Sequence, residues 1–200
     1  MSTNSYLATG RSNQKQRTRE HLLATARRLI ESGDTPRVED VAKESGISRT
    51  TAYRYFPTQA DLLAAAFPET AAASLLPDPA PEGVDARVDA VVTALIDTIE
   101  RTEHQQRAML RLSLGEAPHE LPLRQGRAIG WLEEALDPVR ADLGEEAAHR
   151  LAVAIRSVCG IETRVWLRDI AHLDPDDVRD LQLWMARALL ARTMEDPPPA

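Results

Sequence analysis

Residues 45–56 of this chain, SGISRTTAYRYF, concentrate side chains that are suited to a polyanion. The stretch holds two arginines, two threonines and three aromatic residues, although the formal net charge of the whole chain is −7. An arginine can donate two parallel hydrogen bonds to a guanine, a threonine methyl can contact that of a thymine, and tyrosine hydroxyls can donate to phosphates. The chemistry of this stretch therefore indicates DNA as a binding partner.

A helix over this stretch would sort its side chains onto two faces. At about 100° per residue, Ala52 and Phe56 lie on one side, where they can pack on Val41 and on an earlier helix. The opposite face is polar and carries Arg49, Thr50, Tyr53 and Arg54. One face is therefore an anchor, and the other is open to a ligand.

The neighbouring residues supply the elements that would position this helix. A short helix is expected from about Val38 to Ser45, and it starts either at Pro36 with Thr35 as its cap or nearer Val38. Gly46 allows a sharp turn because glycine adopts positive φ at little cost, and Ser48 is a good N-cap. This arrangement is a helix-turn-helix, whose second helix enters the major groove with its first residues at base edges.

The bare pattern has a second interpretation. In an ordinary helical bundle the same helix would lie on the surface, with solvated arginines and half-buried tyrosines. Helix-turn-helix geometry is also a common corner of such bundles. The pattern alone therefore favours DNA binding over a purely structural helix without deciding between them.

Apolar residues recur at helical spacing almost throughout the chain, which predicts an all-α fold. Residues 1–12 are polar and are expected to be a disordered arm, and a first helix is expected from about Lys15 to Ser32. The sequence TQAD, residues 58–61, predicts a capping box at the start of a fourth helix. Pro68 is expected to kink that helix or to begin a new segment.

The proline-rich run PDPAPEG, residues 77–83, is predicted to be a linker. It separates an N-terminal helix-turn-helix domain, residues 13–76, from a larger C-terminal helical bundle, residues 84–195. Residues 1–66 carry ten lysines and arginines against seven acids, or +3, which leaves −10 for the rest of the chain. Only the N-terminal part is therefore suited to a polyanion. The C-terminal part shows five helical patterns, at about 84–101, 104–115, 121–142, 145–171 and 175–194.

From about Arg17 to Phe67 the sequence resembles the DNA-binding domain of TetR-type (TetR/AcrR) transcriptional regulators. The matching segments are TREHLLATARRLIESG, VEDVAKESGIS, RTTAYRYF and PTQADLL. The most specific feature is the Gly-Ile-Ser turn followed by Tyr-Arg-Tyr-Phe. The resemblance implies base contacts from Arg49, Thr50 and Thr51.

The resemblance also implies phosphate contacts from Tyr53, Tyr55 and Arg54. Gln59 stands where the family commonly has a lysine, so its phosphate contact would be a neutral hydrogen bond. Arg37 stands where the family often has a threonine, which leaves the cap of the second helix open. The predicted DNA-binding residues are Arg37, Ser48, Arg49, Thr50, Thr51, Tyr53, Arg54, Tyr55 and Gln59.

Two helical patterns near the C-terminus each carry two apolar faces, and such a helix must bury both. In the last helix Val178, Trp184 and Leu189 mark one apolar stripe, and a second stripe lies opposite. A two-fold dimer that forms a four-helix bundle would cover the second faces, and a longer monomeric bundle is the alternative. The predicted dimer-interface residues are Val153, Ser157, Gly160, Leu167, Leu183, Leu190 and Met194.

Glu162 falls within an apolar stripe, and an acid in that position must be paired, protonated or used. It either binds a ligand or forms an ion pair with Arg156 or another arginine. Cys159, the single cysteine, is expected to be a small buried residue rather than a redox sensor. The predicted ligand-pocket residues are His104, Met109, Trp131, Glu162 and Trp166, each of which is otherwise ordinary core or surface.

In the family, the C-terminal domain dimerises through its last two helices and often binds a small molecule. The resemblance therefore implies a one-component repressor that binds palindromic double-stranded DNA as a homodimer and is released by a small-molecule effector. It implies no enzymatic activity and no cofactor.

One alternative is a DNA-binding regulator without a small-molecule ligand. A remote alternative is a helical-bundle metalloenzyme, since Glu146 and His149, and also Glu116 and His119, have the Glu-x-x-His spacing of di-iron sites.

The composition also bears on the compartment. No stretch approaches the roughly 18 consecutive apolar residues that span a bilayer, and the N-terminus has no apolar run like that of a signal peptide. A single cysteine cannot form an intrachain disulfide, which agrees with a reducing compartment. We therefore expect a cytoplasmic protein with no membrane partner.

Overall fold

The computed structural model of this protein describes residues 3–66, 73–114 and 126–197. Within these ranges the chain is helical with no strand, which confirms the all-α fold class. The described residues form two compact units. The N-terminal unit comprises residues 3–66 with 111–114, and the C-terminal unit comprises residues 73–110 with 126–197.

The helices of the described residues follow closely on one another along the chain. No helix among them combines the length and the apolar character needed to cross a membrane. A π-helical segment, Trp166–Ile170, follows α10. The α-helices are α1 (Thr3–Glu31), α2 (Val38–Glu44), α3 (Arg49–Tyr55), α4 (Gln59–Ala66), α5 (Val84–Arg101), α6 (Glu103–Ser113), α7 (Arg127–Ala135), α8 (Asp137–Leu143), α9 (Glu145–Cys159), α10 (Ile161–Val165) and α11 (Pro175–Glu195).

Helix α1 begins twelve residues before the expected start at Lys15. The arm expected to be disordered, residues 1–12, is therefore helical backbone from Thr3 onward. This stretch contains no proline. Every residue in it therefore has a backbone N–H, so the helical hydrogen bonds can continue from the buried part of α1.

The core of the N-terminal unit is built from four helices. Helix α1 packs on α2 and on α4, and α2 packs on α3. Its buried apolar residues are Leu22, Leu23, Ala26, Val38, Val41, Ala42, Ala52, Phe56, Leu62 and Ala66. Because α3 contributes to the same core as α1, its orientation is set by packing rather than by its own short length.

The core of the C-terminal unit lies between α5, α7, α9 and α11, which contact one another. Its fully buried side chains include Ile96 of α5, Leu132 of α7, Ile155 of α9 and Leu190 of α11. Each of them lies in a segment whose apolar residues recur at helical spacing, so the pattern predicted helices in these segments.

Two long helical patterns are broken in the structure. The pattern at 121–142 becomes α7 and α8, with Pro138 in the first turn of α8, where its missing N–H costs nothing. The pattern at 145–171 is interrupted at Gly160, whose extended backbone (φ −79°, ψ 170°) ends α9. Gln182 Nε2 then donates to the carbonyl of Val158, at 3.1 Å, near a helix end where carbonyls lack helical partners.

Some expectations fall on residues that the structure does not describe. The kink at Pro68 lies outside the described residues, as do the last residue of the pattern at 104–115 and the first five of the pattern at 121–142. The same is true of the Glu116 and His119 pair.

Candidate nucleic-acid interface

The turn between α2 and α3 has the geometry that the sequence predicts. Gly46 has a φ of +69°, a conformation that residues with a side chain rarely adopt. The N–H of Ile47 donates to the carbonyl of Ala42, at 3.0 Å, which closes the end of α2. Ser48 Oγ accepts a hydrogen bond from the N–H of Thr51, at 3.3 Å, and thereby caps α3. The helix-turn-helix is confirmed.

The start of α2 is capped by a side chain from within the helix. Asp40 Oδ2 accepts a hydrogen bond from the backbone N–H of Arg37, at 2.9 Å. This is one half of a capping box, and it places the cap at Arg37 rather than at Thr35. An arginine can therefore occupy this position without loss of the helix start, and its exposed side chain extends toward solvent.

The apolar side of α3 holds the helix in place. Ala52 and Phe56 are buried in the core of the N-terminal unit, and the half-buried Tyr55 packs against it. The guanidinium carbon of Arg19 lies 5.6 Å from the centre of the Phe56 ring, and that of Arg54 lies 5.7 Å from the Tyr55 ring. These contacts restrict rotation of α3 about its own axis.

The outward side of α3 is polar and accessible. Arg49, Thr50 and Arg54 are exposed, and 41% of Tyr53 is accessible. Thr51 is only half-buried, but its hydroxyl accepts a hydrogen bond from Ser48 Oγ, at 2.8 Å. The exposed side chains of this face are therefore Arg49, Thr50, Tyr53 and Arg54, and the half-buried Thr51 keeps its own O–H as a donor.

Arg49 and Tyr53 share a contact with α2 that the sequence analysis did not identify. Glu39 Oε2 accepts a hydrogen bond from Arg49 Nη2, at 2.6 Å, and one from the Tyr53 hydroxyl, at 3.3 Å. No periodicity in the sequence relates Glu39 to these residues, because the contact depends on the angle at which the Gly46 turn sets α3 against α2.

Gln59 differs from its expected role. Its side-chain Nε2 donates to the carbonyls of Thr35 and Pro36, at 3.1 and 3.0 Å. An amide nitrogen has two hydrogens, so these bonds leave no side-chain donor for a phosphate. Gln59 instead ties the start of α4 to the loop before α2. That start carries the predicted capping box, in which the Thr58 N–H donates to Asp61 Oδ2 and the Asp61 N–H donates to Thr58 Oγ1, both at 3.1 Å.

A short helix, a glycine turn and a capped basic helix with an open polar face define a helix-turn-helix DNA-binding protein. Residues 22–66 match the family model described as "Bacterial regulatory proteins, tetR family". Residues 22–66 therefore have the sequence of a tetR-family DNA-binding domain, and this match supports a DNA-binding transcriptional regulator. In comparisons with curated proteins and with solved structures, nothing matches this chain.

The residues predicted for a ligand pocket differ in their exposure. Met109 and Trp131 are buried, whereas His104 is exposed and 57% of Trp166 is accessible. Glu162 forms an ion pair with Arg156, with an Oε2 to Nη1 distance of 3.2 Å, which is the simpler of the two alternatives for that acid. A cavity of about 450 Å³ lies elsewhere, and none of the five lines it. Its lining residues are Leu75, Ala94, Asp97, Thr98, Glu100 and Arg101.

The residues predicted for a dimer interface divide into two groups. Val153 and Met194 are 40% and 48% accessible, and Ser157 is also exposed. The others are half-buried or buried within the chain itself: Gly160, Leu167, Leu183 and Leu190. Gly160 lies beneath the Arg156–Glu162 pair, whose atoms would be within 2.3 Å of an added Cβ.

Helix α11 is rotated relative to the sequence expectation. Its buried residues are Val178, Gln182, Ala186, Leu190 and Thr193. The side chain of Trp184, which was expected in the buried stripe, is 63% accessible. The cause is the polar Gln182, which takes a core position because it donates to carbonyls at the end of α9, and apolar periodicity gives no sign of this.

A continuous network of ion pairs joins α5, α6, α10, the π-helical segment and α11. Its centre is Arg164, whose Nε and Nη1 donate to Glu103 and Glu100 at 2.9 and 3.1 Å. Arg179 also contacts Glu100, at 3.1 Å, and Arg107 makes a bidentate contact with Asp169, at 2.6 and 2.9 Å. Sequence reasoning missed this network because its partners lie up to 79 residues apart.

The charges of this network are stabilised by one another. Burial by itself raises the pKa of Glu103, but hydrogen bonds from Arg164 and Arg107 outweigh it and hold the pKa below its usual value. The hydrogen bonds from Arg107 lower the pKa of Asp169. Burial raises the pKa of the Cys159 thiol to about 12, so that thiol stays protonated and unreactive, as the sequence predicts.

The two residues of the Glu-x-x-His pair that the structure describes have other side-chain partners. His149 Nδ1 lies 2.6 Å from Glu133 Oε1, and Glu146 pairs with Arg150. No group of three or more metal-ligating side chains is present within residues 3–66, 73–114 and 126–197.

Proposed function

We propose that this protein is a one-component repressor that binds a palindromic DNA operator as a homodimer. The observation that carries this proposal is the polar face of α3, where Arg49, Thr50, Tyr53 and Arg54 are accessible while Ala52 and Phe56 anchor the helix. In a helix-turn-helix this face meets base edges and phosphates. We assign base contacts to Arg49 and Thr50, and phosphate contacts to Tyr53 and Arg54.

A homodimer accounts for apolar side chains that one chain leaves accessible. Val153 of α9 and Trp184 and Met194 of α11 are 40%, 63% and 48% accessible. A contiguous exposed apolar patch marks an interaction surface, and the two helices that carry these side chains pack against each other. Two copies that pair through α9 and α11 would bury them in a four-helix bundle and would present two recognition helices to a two-fold symmetric site.

We further propose that the C-terminal part, residues 84–195, binds a small molecule that releases the DNA, as in the family. A second candidate function is a DNA-binding regulator without such a ligand. The observation that favours it is that Glu162 is paired with Arg156 and that His104 and Trp166 are exposed rather than enclosed.

The central experiment is a selection of double-stranded DNA from a random library with the full chain. We expect an inverted repeat, bound by two chains, with an affinity that falls steeply as salt rises. Binding without sequence preference, or by a single chain to an asymmetric site, would contradict the proposal. Thermal shift against a metabolite library then separates the two candidate functions, because a specific effector raises the melting temperature and lowers operator affinity.

A further inference from the structure

We propose that Glu39 is a positioning residue that sharpens DNA sequence discrimination by holding Arg49 and Tyr53. This inference rests on the proposed function, in which Arg49 reads a base. Glu39 lies on α2, in the first turn of that helix, and is not itself expected to contact a base.

The geometry joins three functional groups at one oxygen atom. Glu39 Oε2 accepts from Arg49 Nη2 at 2.6 Å and from the Tyr53 hydroxyl at 3.3 Å. The Glu39 side chain is 31% accessible, whereas that of Arg49 is 68% accessible. The carboxylate therefore lies behind the arginine, and the guanidinium still faces outward.

This contact leaves the guanidinium able to recognise guanine. A guanidinium carries five N–H donors, and the contact with Glu39 involves one of its nitrogens. The remaining donors are enough for two parallel hydrogen bonds to guanine. Because one end of the group is already held, less side-chain freedom is lost when the other end meets a base. The carboxylate thus pre-orients the reading group.

The same carboxylate makes binding to other sequences weaker. Non-specific binding comes from the attraction of arginines and lysines to phosphates, which do not depend on sequence. A negative charge against Arg49 reduces that attraction, and it holds the guanidinium away from positions where it could pair with a phosphate instead. Proteins often gain specificity in this way, by weakening their binding to the wrong partner.

The other carboxylates of α2 have different partners in the structure. Asp40 caps the helix through the N–H of Arg37, and Glu44 pairs with Arg28 of α1, at 2.6 Å. The Glu44–Arg28 pair matches the Glu39–Arg49 pair in residue types, in distance and in the helix that supplies the acid. It does not involve α3. Glu44→Ala is therefore a matched control for Glu39→Ala.

The test compares two duplexes, one selected by the wild-type chain from a random library and one of scrambled sequence. We expect Glu39→Ala to raise affinity for the scrambled duplex and to lower the ratio of the two affinities by about tenfold, the size of one base contact. Glu39→Gln keeps an acceptor oxygen but loses the charge, and it should give a smaller loss. Glu44→Ala should leave the ratio within about twofold, as expected for an exposed pair.

A double-mutant comparison shows whether Glu39 acts through Arg49. In an Arg49→Ala background, Glu39→Ala should not change the ratio of the two affinities any further. A new selection from the random library with the Glu39→Ala chain should show a weaker base preference at the same positions where Arg49→Ala weakens it. An unchanged ratio in both Glu39 variants, or an equal rise in affinity for both duplexes, overturns the inference. If the wild-type chain selects no sequence at all, the proposed function fails instead. Circular dichroism confirms folding, and Glu39→Gln keeps the test decisive if Glu39→Ala is unstable.

Discussion

The ion pairs of α2 in the N-terminal unit differ from the network around Arg164 in the C-terminal unit in how exposed their arginines are. In the N-terminal unit the pairs Arg28–Glu44 and Arg49–Glu39 both have distances of 2.6 Å, yet the arginine side chains are 60% and 68% accessible. In the C-terminal unit the side chain of Arg164 is 5% accessible and lies between Glu100 and Glu103.

This difference separates charges that can change partner from charges that cannot. An exposed ion pair contributes about 0–1 kcal/mol, so its guanidinium can take a further partner on DNA at little cost. A buried arginine must keep its partners, because an unpaired buried charge is strongly destabilising. The charges of the N-terminal unit are thus suited to binding, and those of the network around Arg164 are suited to holding helices together.

The largest expected effect comes from breaking the network at its centre. Arg164→Ala should destabilise the C-terminal unit by about 3 kcal/mol, the lower end of the range for breaking a buried pair. The lower end applies because Glu100 keeps Arg179 and Glu103 keeps Arg107. Hydrogen exchange resolved by mass spectrometry should show the loss in α5, α6 and α10. Arg192→Ala, which removes an exposed arginine, is the control, and an equal effect of both variants would contradict the role of burial.

Acid titration gives a second check on the same network. Since the folded-state pKa values of Glu103 and Asp169 are lowered, their contribution to stability is present above the unfolded pKa values, about 4. It is lost as the pH falls through the folded-state values. Urea unfolding of the wild-type chain should therefore show falling stability below about pH 4, and Arg107→Ala should reduce that dependence.

The next largest effect tests the open charges of the N-terminal unit. Arg49→Ala should weaken binding to the selected operator by about 1–3 kcal/mol for each base that it reads. The melting temperature should change little, because the Arg49 side chain is exposed. Competition binding at fixed salt measures the first quantity. A loss of the same size for selected and scrambled duplexes would show that Arg49 contacts only phosphate.

A smaller effect is expected at the helix cap. Ser48→Ala removes the oxygen that accepts from the Thr51 N–H and should cost about 1 kcal/mol of stability. Ser48→Thr keeps an accepting hydroxyl and should restore most of the loss. Thermal unfolding of the three chains provides the comparison. If the Ala variant is as stable as the wild type, the Ser48 cap does not stabilise α3.

The smallest effect is expected at the exposed pair between α1 and α2. Glu44→Ala should change the free energy of unfolding by less than about 1 kcal/mol, because Arg28 and Glu44 are 60% and 50% accessible. Urea unfolding measures this change. A cost as large as that of Arg164→Ala would contradict the contrast between the two units.

Local features of the helix-turn-helix were predictable because each depends on residues close in sequence. Gly46 forms the turn, Ser48 caps α3, and Thr58 and Asp61 cap α4. The capping hydrogen bonds join residues that are three positions apart. The family resemblance added the functional meaning of α3. The site residues with distant partners were harder to predict: Gln59 donates to carbonyls 23 and 24 residues away, and Glu39 reaches Arg49 across the turn.

In the C-terminal unit, the apolar pattern predicted helices but not always which face is buried. Trp184 was assigned to the core and is exposed, since Gln182 occupies a core position through hydrogen bonds to α9. Glu162 was open to two interpretations, and its pair with Arg156 became visible only in the folded chain. Hydrogen bonds between helices decided both cases, and periodicity carries no information about them.

Residue types and their spacing were sufficient to predict that this protein is all-α, that Gly46 and Ser48 precede a recognition helix, and that Arg49 and Thr50 share its outer face. These features follow from backbone geometry and from helical periodicity, which act over a few residues. The tertiary structure alone decided that Glu39 holds Arg49 and that Arg164 is enclosed by acids. Those contacts exist only where packing brings distant helices to a fixed angle, and packing depends on the whole core.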